Sequence, residues 1–156
     1  MSDSRKKFIY LLGEMRSLLG YSLREEDLSP EEDLAMEMNY GGFQFSVVHS
    51  VKNSPKKMLI ECVFGQIPLE SEEKILINLL EMNCALAEID GSVFGLDQDS
   101  DELIYTIALD MNLQSAETVL RKMTEIVWHG RRWLKNNFLN NQDELKNPAL
   151  EIGILA

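Results

Sequence analysis

Cysteine is scarce in this chain of 156 residues, which holds only Cys62 and Cys84. Both lie in apolar runs without the paired spacing of a zinc site, so two buried free thiols in a reducing compartment are expected. Histidine is equally scarce. His49 and His129 have no neighbouring Cys, His or carboxylate at metal-ligand spacing, and neither is placed beside an activated Ser or Cys. That removes the usual sequence basis for a metal centre or a nucleophilic triad. Positive charge is outnumbered, with 15 Lys and Arg against 26 Asp and Glu, a formal net charge of −11. Phosphate-backbone binding needs a basic face, so nucleic acid is not the expected partner. No apolar run is long enough to span a bilayer, and the basic start Met1-Ser2-Asp3-Ser4-Arg5-Lys6-Lys7 opens no signal-peptide core. A cytoplasmic protein is the expectation.

Two further absences narrow the chemistry. Asp97, Asp99 and Asp101 alternate as calcium ligands can, but loop positions 6 and 12 hold Glu102 and Ala108 where an EF-hand needs Gly and Glu. A solvated hairpin turn is the simpler reading. Gly41-Gly42 separates two strand-like runs and lacks phosphate-loop spacing. No catalytic, cofactor-binding or metal-binding residue is assigned, and no enzymatic activity is expected. A small-molecule enzyme or sensor would need convergent polar groups that the pattern does not supply.

What the chain does have is apolar patterning. With 45% hydrophobic and 26% charged residues it has the composition of a globular domain. Asp3 or Ser4 can cap a first helix ending at Leu19 before Gly20, with the stripe Phe8, Leu12, Met15 and Leu19 widened by Leu11 and Leu18. An acidic linker, 22–33, contains Pro30. Three runs of period-2 alternation follow: Leu34, Met36, Met38 and Tyr40; then Phe43, Phe45, Val47, His49 and Val51; then, after Asn53-Ser54-Pro55, Met58, Ile60, Cys62 and Phe64. Short turns between such runs predict an antiparallel meander with one face on the core and the first strand at an edge. Pro68 ends it. Beyond the helix that follows, a strand–turn–strand through 97–101 closes with Leu103 to Leu109, and Ser115 caps a last long helix carrying Val119, Leu120, Met123, Ile126, Val127, Trp133 and Leu134.

The helix from Ser71 to Ile89 is the unusual element. At about 100° per residue, Ile75, Leu79, Met82, Leu86 and Ile89 form one stripe, and Leu76, Leu80, Cys84 and Ala87 form a second. Lys74, Asn78, Glu81 and Glu88 keep a narrow polar edge. A helix on one sheet needs one apolar stripe; two stripes require cover on both sides, which a second copy of the chain can supply. The fold class is α+β: a five-stranded antiparallel twisted sheet with three helices in the order α-β-β-β-α-β-β-α, homodimeric, with residues 1–139 as a single domain and 140–156 as a flexible C-terminal tail. Alternating Met36 and Met38 suit a surface that accepts varied apolar partners, and Trp128, on the more polar side of the last helix, is a candidate contact anchor.

The run Leu79-Leu80-Glu81-Met82-Asn83-Cys84-Ala85-Leu86-Ala87-Glu88, with Gly91, Phe94-Gly95-Leu96-Asp97 and the strand from Glu102 to Leu109, resembles the class I type III secretion chaperones of the Tir chaperone (CesT-like) family. That family shows a leucine-rich helix of the form L-L-E-x-N-x-x-x-A-E, a glycine turn, a G-L-D element and an apolar strand. The resemblance extends over about residues 4 to 138. It implies a bacterial, non-enzymatic, acidic homodimer that binds the N-terminal chaperone-binding region of secreted effector proteins and delivers it to the secretion apparatus, with the secretion ATPase as a further candidate contact. On this reading Phe8, Leu12, Met15, Leu19, Met36, Met38 and Tyr40 form an effector groove beside a free strand edge, and Leu76, Leu80, Asn83, Cys84 and Ala87 face the dimer mate. A non-secretory, protein-binding regulatory adaptor of the same fold is the alternative.

Overall fold

The computed structural model describes residues 1–20 and 32–139; the predicted linker around Pro30 lies largely, and the tail 140–156 wholly, outside the described residues. Helix α1 runs Asp3–Leu19. Its cap is Ser2, one residue ahead of the predicted candidates, whose side chain accepts from the Arg5 amide; Gly20 ends it in the left-handed conformation at φ 79°. Strands β1 (Leu34–Tyr40), β2 (Phe43–His49) and β3 (Lys57–Gln66) form the meander, and β4 (Val93–Leu96) with β5 (Glu102–Asp110) forms the later hairpin. Helix α2 is Glu72–Ile89 and α3 is Ala116–Asn136. Ser115 and Thr118 cap α3 reciprocally, each side chain bonding the other's backbone N–H, whereas Ser71 makes no side-chain cap on α2.

All neighbouring strands are antiparallel, in the order β1-β2-β3-β5-β4. The sheet has one covered face. Met36, Phe45, Val47, Met58, Ile60, Cys62, Leu103, Tyr105, Ile107 and Phe94 point into the core. The opposite side chains, including Val48, Leu59, Val63 and Ile104, are only half-buried, and none of them joins that core. Helices α1 and α3 lie against each other on the covered face, and α2 packs along the outer strand β4. Close approach of α3 to the sheet depends on Gly130, where a Cβ would come within 2.6 Å of the Phe43 ring, and on Gly41, where it would meet Val127 at 2.7 Å.

An aromatic cluster ties the far end together. Phe94 packs edge-on to Tyr105 at 5.1 Å and to Phe138 at 5.6 Å, and Phe138 lies 5.5 Å from Trp133. The chain reaches this position because Asn137 and Phe138 both take positive φ after α3, which turns Phe138 back into the core. Asn78 is buried there, donating its amide to the Phe138 carbonyl at 3.1 Å. The predicted polar edge of α2 therefore loses Asn78 to the interior: hydrogen-bonded, it escapes the cost of about 1–3 kcal/mol that an unpaired buried amide would carry.

His129 is a core histidine, stacked on Tyr105 at 5.9 Å. Burial first, and then the positive charges of Arg132 and Lys122, lower its pKa from 6.5 to about 4, against a smaller opposing effect of Asp90. A histidine whose folded pKa is depressed contributes stability above its unfolded pKa and loses it as pH falls. Between pH 6.5 and 4 this one group should cost about 3 kcal/mol. Urea unfolding midpoints should fall over that window, and His129→Phe, which keeps the ring stack, should flatten that part of the slope; an unchanged slope would mean that the imidazole is protonated in the fold.

Candidate functional site: a free strand edge and an uncovered helix face

Two surfaces carry the features singled out in the sequence. The first is β1. It ends the sheet, and among the described residues no strand pairs with its outer side. The two-residue turn Gly41-Gly42 has both φ positive, at 59° and 87°, the primed geometry that matches strand twist. Such a turn makes its flanking residues, Tyr40 and Phe43, a hydrogen-bonded pair, and pairing then alternates along the ladder. Tyr40, Met38, Met36 and Leu34 thus turn their backbone groups to β2, and Ala35, Glu37 and Asn39 turn theirs outward. Those outward N–H and C=O groups are a template for one further strand.

The side chains expected to line a groove here divide. Met38, Tyr40 and Leu19 are half-buried at the surface. Phe8, Leu12, Met15 and Met36 are not open to a ligand; they lie in the core, Phe8 and Met15 with no exposure at all. The physical reason is that α1, like most helices in proteins, is held by packing its apolar face, and burying this stripe contributes about 1.5–3 kcal/mol per large side chain. Arg16, whose Nε lies 3.1 Å from the Met36 sulfur, brings the end of α1 close to β1.

The second surface is α2. Ile75, Leu79, Met82 and Leu86 are buried as the first stripe, while Ile89 at its end is exposed. The second stripe is open: Leu80 is 66% exposed, and Cys84 and Ala87 are exposed. Ile77 joins it, a residue the stripe assignment missed, although its position on the helical wheel near Cys84 was available from spacing alone. Leu76 is half-buried. Val93 and Leu96 on the adjoining β4 are exposed as well, on opposite faces of the sheet. Asn83 lies between the stripes and acts inward: its side-chain amide donates to the Phe94 carbonyl at 2.9 Å and accepts from the Phe94 N–H at 2.7 Å. That pair of bonds imitates a neighbouring strand and clamps α2 to the free edge of β4. The two thiols also part company. Cys62 is buried, which pushes its pKa up to about 12, but Cys84 is on the surface, contrary to the expectation that both would be inside.

The turn after β4 holds the three aspartates. Asp97 accepts from the Ser100 and Asp99 amides, each at 2.9 Å, and from the Ser100 hydroxyl, which together hold its carboxyl below the ordinary range. It is an Asx-type turn. Among the described residues no helix is long and apolar enough to cross a membrane.

A family model matches residues 27–133 under the description Tir chaperone protein (CesT) family. The chain belongs to that family. Within it, the matched span takes in the whole sheet, all of α2 and most of α3. Among solved structures, this CesT-family chain is similar to a chain of the HopA1–SchA chaperone–effector complex (16% identity, 85% of this chain and 97% of that one, TM-score 0.61). It is also similar to a chain of the ExsC–ExsE complex, at 17% identity over 86% of this chain and 96% of that one, with TM-score 0.66. A third likeness is to the heterodimeric ExoU–SpcU complex of the Pseudomonas aeruginosa type III secretion system, at 12% identity over 78% and 93%, with TM-score 0.56. At these identities the likeness is one of fold: α+β, three helices on a five-stranded antiparallel sheet. No curated protein matches the chain.

Proposed function

We propose that this chain is a type III secretion chaperone that binds the N-terminal region of one or more effector proteins and keeps it competent for delivery, with no enzymatic activity of its own. The observation that carries this reading is the family match over residues 27–133. The geometry supports it in two places. An effector segment would add a strand to β1, bonding to the outward backbone groups of Ala35, Glu37 and Asn39 and setting alternate side chains beside Met38, Tyr40 and Leu19. A second copy of the chain would cover the open stripe of α2, with Leu80, Cys84 and Ala87 at the centre and Ile77 beside them, while Leu76 and Asn83 stay at its margin.

Affinity purification of the tagged protein from its own host, followed by mass spectrometry, tests the function. The expected result is one or a few secreted proteins recovered at near-stoichiometric amounts and lost when their N-terminal segments are deleted. Recovery of non-secreted regulators alone would support the adaptor reading instead.

A further inference from the structure

The β1–β2 turn and the middle of α3 enclose a groove of about 560 Å³ that meets the proposed strand-edge surface only at Tyr40. Its floor and apolar wall are Val127, Tyr40 and Trp128, and Tyr40 is pinned to α3 by a 2.9 Å hydrogen bond between its hydroxyl and that of Thr124. Arg121 and Arg131 stand at its two ends and both are exposed. Neither makes an ion pair among the described residues. The one carboxylate of the lining, Glu125, is paired at 2.9 Å with Lys122, which it shares with Asp90 at 3.1 Å. Trp128 is stiffened by Arg132, whose guanidinium lies 4.8 Å from the ring centre. On a chain of net charge −11, this is a local concentration of positive charge around an apolar slot.

The spacing selects the ligand. Arg121 and Arg131 are ten residues apart on one helix, about 15 Å at 1.5 Å per residue. An extended peptide rises about 3.3 Å per residue, so carboxylates four or five positions apart reach both arginines. We propose that the groove is a docking site for an extended acidic peptide segment whose central apolar side chain enters between Tyr40, Val127 and Trp128 while flanking carboxylates pair with Arg121 and Arg131. The site does not depend on the chaperone reading. With a net charge of −11 the chain repels such a segment on average, and the paired arginines beside an apolar slot attract it here.

The test uses the full-length protein and its own tryptophans, since Trp133 is buried and Trp128 reports the groove. The probe is the blocked heptapeptide Gly-Asp-Ser-Leu-Ser-Asp-Gly. Titration at low salt should give a saturable change in tryptophan emission, weakened at least tenfold when both aspartates of the peptide are replaced by asparagine or its leucine by glycine. The double variant Arg121→Glu/Arg131→Glu should lose the acidic probe and gain the peptide carrying lysines in place of aspartates. Glu37→Pro, at the strand edge, should leave the titration unchanged. Equal binding of the acidic, asparagine and lysine peptides, an unaffected double-Glu variant, no saturable signal, or loss on Glu37→Pro would each overturn the assignment.

Discussion

Leu80→Asp is expected to convert the proposed homodimer to a monomer without unfolding it. Leu80 is 66% exposed in the single chain, so a charge there leaves the fold within about 0.5 kcal/mol of its original stability. Across an isologous contact both copies carry the change, and each aspartate would be buried without a partner. A penalty of several kcal/mol raises the dissociation constant by at least about 100-fold. Sedimentation equilibrium at micromolar protein should therefore report the monomer mass, with unchanged circular dichroism. The adjacent residue supplies the contrast: Leu79→Asp places the charge in the core and should prevent folding. A Leu80→Asp variant that still sediments as a dimer would remove α2 from the interface.

Glu37→Pro is expected to abolish the proposed effector capture while leaving the fold and the proposed dimer contact intact. Proline removes one backbone donor, and in a strand it is tolerated where that donor points away from the sheet. Pairing in register from the Gly41-Gly42 turn places the Glu37 N–H outward, and its side chain is exposed. No ladder bond to β2 is lost, but an added strand loses a bond and meets the proline ring. Met38→Pro is the control, because its N–H faces β2 and its loss should destabilise the sheet edge itself. Co-purification of the effector recovered with the native protein measures the outcome; full recovery with Glu37→Pro would show that capture does not use the β1 edge.

Element type and order were legible in the sequence because both depend on local period and punctuation. The alternation of Phe43, Phe45 and Val47, the paired glycines before them and the Ser115 cap each act within a few residues. The doubled stripe of α2 was legible for the same reason, and so was the family pattern laid over it. Burial of particular residues was less so. Phe8, Leu12, Met15 and Met36 have the chemistry of either a core or a groove, and only the packing of α1 beside α3 over the covered sheet face assigns them to the core. Asn78 and Asn83 are adjacent in kind and opposite in expectation, yet both turn inward because a carbonyl and a strand edge, 60 and 11 residues away, need partners.

By itself, then, the sequence determined that this is an α+β domain of the CesT pattern with more apolar helix surface than one sheet can cover, since periodicity and composition are written locally. Tertiary structure decided which of that surface is left over: the Leu80 face of α2, the outward backbone of β1 and the arginine-flanked groove at Trp128. Exposure is a property of what packs against a residue, and the groups that do so here are brought together only when the helices pack on the sheet.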